Sequence, residues 1–148
     1  MTNISTTIKS IQDIMRQDAG VDGDAQRISQ LVWMFFLKIF DDKEEEWSIT
    51  KEDYQSAIPE RLRWGNWAAN EEGITGEELL DFINNDLFKT LKELPVNPKE
   101  EPQGWIVRSV FEDSFNYMKS GTLIRQVVNK INQIDFNRQE DRHLLNEI

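Results

Sequence analysis

The stretch that decides the fold is ISQLVWMFFLKIF, residues 28–40. Most of its apolar side chains recur three or four residues apart, which is the period of an α-helix. The positions that follow this period are Ile28, Leu31, Val32, Phe35, Phe36, Ile39 and Phe40. Trp33, Met34 and Leu37 widen the apolar surface, and a helix that is apolar on nearly every side is normally an interior one. The stretch therefore predicts a central helix that is buried on most of its sides.

Acidic residues flank this central helix. Asp22 and Asp24 are suited to its N-terminus, because a short carboxylate side chain can accept hydrogen bonds from the first free backbone N–H groups. The run of residues 41–46, DDKEEE, predicts a solvated end of the helix rather than a cation site. A calcium loop built from Asp18, Asp22 and Asp24 is also disfavoured, since the glycine and the closing glutamate of such a loop are missing.

The same apolar spacing predicts further helices on both sides of the central one. They cover residues 4–15, 79–91, 107–118 and 123–134. Thr75 is the predicted N-cap of the second of these, and short helical pieces are plausible at 51–56 and 59–63 within an irregular, aromatic-rich middle segment. No segment alternates with a period of two, so the fold class is all-α. We expect residues 1–148 to form a single helical-bundle-like domain of about five to seven helices.

Composition limits the possible classes of function. The 148 residues include no cysteine, which excludes disulfides and Cys-built zinc sites and suits a reducing compartment such as the cytoplasm. No apolar run is long enough to cross a membrane, and the first residues do not form a signal peptide. Residues 1–102 hold 21 acidic against 11 basic residues, whereas residues 103–148 hold six of each. Any contact with nucleic acid should therefore come from the last third of the chain.

No constellation of residues predicts catalysis. Glu140 and His143 have the spacing of a carboxylate-bridged metal bundle, but a second copy of that motif cannot exist with one histidine in the chain. Asn97-Pro98 lacks the second proline and the aromatic residue of the tetrapeptide that amino-methylating enzymes use. We therefore assign no catalytic, cofactor-binding or metal-binding residue to this chain.

Two surface hypotheses remain, and in each a structural role is the favoured alternative. Three basic residues near the last apolar helix are candidate contacts to DNA phosphates, or else ordinary solubilising surface: Lys119, Arg125 and Lys130. Three tryptophans of the middle segment are candidate interface anchors, or else part of the core: Trp47, Trp64 and Trp67. The last residues, 142–148, start another apolar pattern without a stop signal, so we expect the polypeptide to continue.

Several strings of the chain resemble the N-terminal helical domain of modification subunits from type I restriction-modification systems. The strings are DAGVDGDAQRISQLVW (18–33), FLKIFDDK (36–43), NWAA (66–69), YMKSGTL (117–123) and EDRHL (140–144). In that family the helical domain precedes an α/β domain that binds S-adenosylmethionine and methylates the N6 amino group of adenine. The resemblance implies that this second domain lies C-terminal to residue 148, and the family's catalytic motifs match no residue of this chain.

The resemblance also implies partners. Two modification subunits assemble with one specificity subunit, nuclease subunits join for restriction, and the helical domains help to close the complex around double-stranded DNA. The leading hypothesis is therefore a non-catalytic assembly and DNA-clamping domain. The alternative is a free-standing acidic helical interaction protein or DNA mimic, which the net charge of −10 would suit. A helical enzyme with a metal site is the weakest option, because the ligand sets are incomplete.

Overall fold

The computed structural model describes residues 4–97 and 99–136, and within these ranges the predicted all-α class is confirmed. The helices are α1 (Ile4–Arg16), α2 (Gly23–Thr50), α3 (Trp64–Trp67), α4 (Gly76–Phe82), α5 (Phe88–Lys92), α6 (Pro102–Glu112) and α7 (Gly121–Ile131). A 3₁₀ turn, Glu60–Leu62, precedes α3, and a π-helical turn, Ile83–Leu87, joins α4 to α5. None of the described helices has the length and apolar character that a bilayer crossing requires.

The first and last helices form as their apolar spacing predicts. α1 buries Ile4, Ile8, Ile11 and Met15 on one face. At the start of α7, the hydroxyl of Ser120 accepts a 3.2 Å hydrogen bond from the backbone N–H of Leu123, which is the usual N-capping contact. α7 packs against both α1 and α4. These amphipathic helices thereby bring the two ends of the described chain together.

Aromatic side chains fill the core beside α2. The Trp33 ring is fully buried and meets the Phe88 ring edge-on at 4.9 Å between ring centres. Phe111 from α6 lies 6.2 Å from Trp33 and 5.0 Å from Phe88, so three helices share one aromatic cluster. Edge-to-face ring pairs of this kind add to the free energy of burial. The cluster fixes α5 and α6 on the inner side of α2.

The structure corrects two predictions about α2. The helix does not stop at the charged run of residues 41–46 but continues to Thr50, and Glu44 within that run is buried. The run is tolerated inside the domain because a later segment supplies hydrogen-bond donors to it. The helix is also not buried on most sides, because Ile28, Val32 and Ile39 are exposed.

Other boundaries differ from the predicted ones where local signals compete. Residues 51–56 are not helical, and α6 begins at Pro102 and ends at Glu112, short of the predicted 118. Proline suits the first turn of a helix because it lacks only an N–H that has no helical partner there. Thr75 precedes α4 as predicted, but its side chain makes no capping hydrogen bond.

Candidate functional site

Arg125 of α7 is a buried structural residue. It is 6% exposed, and its guanidinium donates hydrogen bonds to the backbone carbonyls of Trp67 (2.9 Å), Ala68 (3.1 Å), Asn70 (3.0 Å) and Ile74 (2.9 Å). Burial lowers the pKa of this guanidinium from its ordinary value, yet an arginine stays protonated in proteins. The side chain holds residues 67–74 against α7. Arg125 is therefore not placed to meet a phosphate, and this candidate DNA contact is corrected.

Trp64 and Trp67 belong to the core, so their candidate role as interface anchors is corrected as well. Both side chains are buried, and their rings lie 5.4 Å apart. The indole N–H of Trp64 donates to the Asn132 side-chain oxygen at 2.8 Å, and that of Trp67 donates to the Leu62 carbonyl at 3.0 Å. Every polar atom of the two indoles is therefore satisfied inside the domain.

Of the three candidate tryptophans, Trp47 is the one that stays partly accessible. It lies on the last turns of α2, with its ring 5.9 Å from the Phe40 ring and 6.1 Å from the Tyr54 ring. The ammonium of Lys51 stands 5.7 Å from its ring centre. The prediction that Trp47 takes part in an interface remains open.

Glu44 is a buried carboxylate whose oxygens are already occupied. It accepts hydrogen bonds from the Tyr54 hydroxyl (2.9 Å), the Ser56 hydroxyl (2.7 Å) and the Ala57 backbone N–H (2.9 Å). The Nε of Arg63 lies 3.9 Å from one of its oxygens. Glu44 borders a cleft of about 580 Å³, and the three hydrogen bonds that its carboxylate accepts fix residues 54–57 on α2.

The pH titration of Tyr54 tests this arrangement. Burial, the hydrogen bond to Glu44 and the charge of Glu44 raise the pKa of Tyr54 well above the ordinary value of about 10. Above that value the unfolded chain loses the phenolic proton while the folded chain keeps it, so this group lowers stability as pH rises. In a Tyr117→Phe background only Tyr54 can form phenolate. We expect Glu44→Gln to bring its pKa partway down, measured by phenolate absorbance; an unchanged titration would contradict the contact.

Asp18 ties the turn after α1 to the segment that leads into α7. Its buried carboxylate accepts hydrogen bonds from the backbone N–H groups of Gly20 (2.8 Å), Lys119 (3.0 Å) and Ser120 (2.9 Å). A side chain at Gly20 would overlap the carbonyl oxygen of Tyr117, so the two segments touch backbone to backbone. Asp18 thus fixes the backbone that presents Lys119.

The side chain of Lys119 is exposed at a cleft of about 430 Å³, which we name the Lys119 cleft. Lys92, Phe115, Asn84 and Asn116 also line it. Phe115 is 60% exposed, and its ring packs edge-on against that of Tyr117 at 5.0 Å between ring centres. The cleft therefore combines two cationic side chains with an accessible aromatic one.

Side-chain hydrogen bonds fix the floor of the Lys119 cleft. The Gln30 amide of α2 donates to the Asn116 oxygen at 2.8 Å and accepts from the Tyr117 backbone N–H at 2.8 Å. Asn116 in turn donates to the Asn84 oxygen at 2.9 Å. This network holds residues 113–120, which are not helical, against α2 and the π-helical turn of Ile83–Leu87.

The structure does not bring the three predicted basic residues together. Lys119 precedes the first turn of α7, and the half-buried Lys130 lies in its last turn. Because the eleven residues of α7 extend over about 16 Å, the two lysines lie at opposite ends of the helix. Among the described residues no group of three or more histidine, aspartate or glutamate side chains is arranged to hold a metal ion. Glu140 and His143 lie outside the described residues.

Comparisons with known proteins assign the same architecture to one family. The profile of the HsdM N-terminal domain matches residues 4–131. The chain is 58% identical over 146 residues to the type I restriction enzyme EcoEI methylase subunit of Escherichia coli, covering 99% of this chain and 30% of that protein. It thus spans less than a third of this curated relative.

Two solved structures have the same fold. A modification subunit of a putative type I restriction enzyme from Vibrio vulnificus YJ016 superposes with a TM-score of 0.82 at 37% identity, over 97% of this chain and 33% of that one. A structure determined for complex assembly and conformational transition of the type I R-M system gives 0.83 at 28% identity, over 97% of this chain and 28% of that one. In both cases the match again covers only part of the larger chain.

Proposed function

The chain belongs to the HsdM N-terminal domain family, and from that premise we propose that it is a non-catalytic domain that assembles a type I modification subunit with its partners and helps to hold DNA. The observation that carries the proposal is the span of the likeness, which takes in 99% of this chain but 30% of the methylase subunit. A domain of this size with no constellation for chemistry contributes by positioning other parts of a larger protein.

We infer the activity of the parent protein from the relative that it resembles over this domain. Because the Escherichia coli relative is a methylase subunit, we expect the parent to transfer a methyl group from S-adenosylmethionine to the N6 amino group of adenine in the cytoplasm. The methyl donor would be bound outside this domain. The partners would be a specificity subunit, a second modification subunit and, for restriction, nuclease subunits.

The surface that best suits DNA includes Lys119 and Lys130. Residues 1–102 carry most of the negative charge, which repels phosphate, whereas residues 103–148 are balanced. Lys119 stands on backbone that Asp18 fixes, beside Lys92 and the exposed ring of Phe115. Ammonium groups presented from a fixed backbone can each contact a phosphate of the DNA backbone without reading the base sequence.

Reversing the charge of both lysines tests the DNA-holding role. In the complete modification subunit bound to its specificity subunit, we expect Lys119→Glu with Lys130→Glu to weaken DNA binding by about tenfold or more at moderate salt. The dependence of log affinity on log salt should also lose about two units of slope, because two phosphate contacts are lost. Fluorescence anisotropy with a labelled duplex measures both quantities.

The matched control is Lys99→Glu, which changes an exposed lysine in the segment between α5 and α6. It should leave affinity and slope unchanged. The mass of the subunit complex should be the same for all variants, because neither lysine is a core residue. If the double variant has the same DNA affinity and salt slope as the control, the DNA-holding part of the proposal is wrong. The assembly role is tested separately, by the mass of the subunit complex.

A further inference from the structure

The Lys119 cleft differs in charge from the rest of this acidic chain. None of the described residues that line it is acidic, although the chain has a net charge of −10. By contrast, the lining of the cleft beside Glu44 also includes Glu60 and Glu101. The charged side chains in the lining of the Lys119 cleft are those of Lys92 and Lys119. An anion can therefore approach the Lys119 cleft without facing the repulsion that it meets at the other one.

Apolar and aromatic side chains form most of the remaining lining of the Lys119 cleft. They are Leu80, Phe88, Phe115, Tyr117 and Met118. The edge-on contact with Tyr117 covers at most one face of the Phe115 ring. Because most of the Phe115 side chain is exposed, a planar group can stack on its other face.

The groups of the Lys119 cleft are held in place before any ligand arrives. Residues 113–120 are fixed by the side chains of Asp18 and Gln30. The ammonium of Lys92 lies 5.7 Å from the centre of the Phe88 ring, and both residues line the cleft. A site that is already ordered loses little conformational entropy on binding.

Cationic side chains beside an open aromatic ring suit unpaired nucleic acid. Bases stack on the ring, and the ammonium groups attract the phosphates. A base inside a duplex has both faces covered by its neighbours, so it must leave the helix before it can stack on a protein ring. Enzymes that modify a base take it out of the stack, and unstacked nucleotides therefore arise while a DNA methylase acts.

We propose that the Lys119 cleft binds an unpaired nucleotide of DNA, whose base stacks on Phe115 while its phosphates lie near Lys92 and Lys119. The inference rests on the proposed function, in which this domain helps to hold DNA, and it names the part of the DNA that this cleft receives. A fully paired duplex meets the lysines without the ring. The cleft volume of about 430 Å³ lies within the range of sites that enclose a small molecule.

Photo-cross-linking with an iodinated base tests the stacking. An oligothymidine single strand that carries one 5-iodouracil base is irradiated with the complete modification subunit, and the linked peptide is identified by mass spectrometry. We expect the cross-link at Phe115 and its loss in Phe115→Leu. Trp105→Leu serves as the control, because it removes an exposed aromatic ring that does not line the cleft, and it should leave the yield unchanged.

Affinity measurements separate stacking from charge. We expect Phe115→Leu to weaken binding of the same single strand by about tenfold, the effect of losing one base stack, with an unchanged salt slope. Lys92→Gln should weaken binding and also reduce the slope of log affinity against log salt by about 0.7, because one phosphate contact is lost. A fully paired duplex should bind the Phe115→Leu subunit as well as the unsubstituted one. Fluorescence anisotropy measures all of these affinities.

Three results would overturn the inference. They are a cross-link elsewhere in the subunit with none at Phe115, equal single-strand affinity of Phe115→Leu and Trp105→Leu, and loss of specificity-subunit binding by Phe115→Leu. The last of these would show that protein, not DNA, fills the cleft. The proposed function is judged separately, because the exchange of Lys119 and Lys130 is measured with a fully paired duplex.

Discussion

The substitution Arg125→Met is expected to lower the free energy of unfolding by about 3–5 kcal/mol. Methionine fills much of the same space but donates no hydrogen bond. The backbone carbonyls of Trp67 and Ile74 would lose the donor that Arg125 supplies, whereas Ala68 and Asn70 would keep hydrogen bonds from the Asn132 side chain and the Gly73 backbone N–H. A buried carbonyl without a partner costs more than the hydrogen bond itself contributes. Urea denaturation of the 148-residue chain, followed by tryptophan fluorescence, measures the change.

Lys130→Met is the matched control for this loss of a cation. Lys130 lies on the same helix, and the substitution introduces the same methionine side chain. The side chain of Lys130, however, is only half-buried, in the last turn of α7. We expect a change of about 0.5 kcal/mol or less. Arg125→Lys keeps the charge but reaches fewer carbonyls, so it should fall between the two. Equal stability of Arg125→Met and Lys130→Met would show that residues 67–74 do not depend on the guanidinium.

Arg125 and Lys130 show a limit of prediction from the sequence, because Arg125 is buried whereas Lys130 is only half-buried. Both are basic residues near an apolar stripe, and a contact to phosphate suits both equally. On a helical wheel, however, Arg125 and Lys130 both lie about 110° from the middle of the buried stripe formed by Ile124, Val127, Val128 and Ile131, so the wheel does not separate them. On α2 the wheel does give a signal, because Glu44 follows Phe40 by four residues and Leu37 by seven, in line with these buried positions. A charged residue on the apolar face of a helix marks a buried polar anchor.

Regular helices could be predicted because their apolar spacing is local. α1 and α7 each expose one face and bury the other, so a window of a dozen residues defines them. The middle segment has no such pattern. Its backbone is held instead by side chains that are far away in the sequence, and Arg125, for example, follows it by more than fifty residues. The sequence also could not predict that one apolar face of α2 is exposed. An apolar pattern on a helix does not reveal whether the surface that covers it belongs to the same domain.

Replacing Gly121 by alanine is expected to lower the free energy of unfolding by about 3 kcal/mol. The first residues of α7 and α4, Gly121 and Gly76, lie directly against each other. A Cβ at Gly121 would overlap the carbonyl oxygen of Gly76 and lie 2.5 Å from its carbonyl carbon. These are backbone atoms, so no rotation of a side chain can relieve the overlap. Gly76 itself has φ of +61°, a conformation that favours glycine, which limits how far it can shift.

Gly65→Ala is the control, because the nearest neighbour of its added methyl is a side-chain oxygen of Asp41 at 3.1 Å, which can move. We expect that variant to unfold close to the unsubstituted chain in urea. If Gly121→Ala does the same, α4 and α7 can separate at their N-termini without cost.

The contact between the N-termini of α4 and α7 matters for function because α7 also carries Arg125, and the residues just before α7 present Lys119. A displaced α7 would therefore disturb the segment 67–74 and the proposed DNA surface together, so DNA affinity should be compared among variants only per folded molecule.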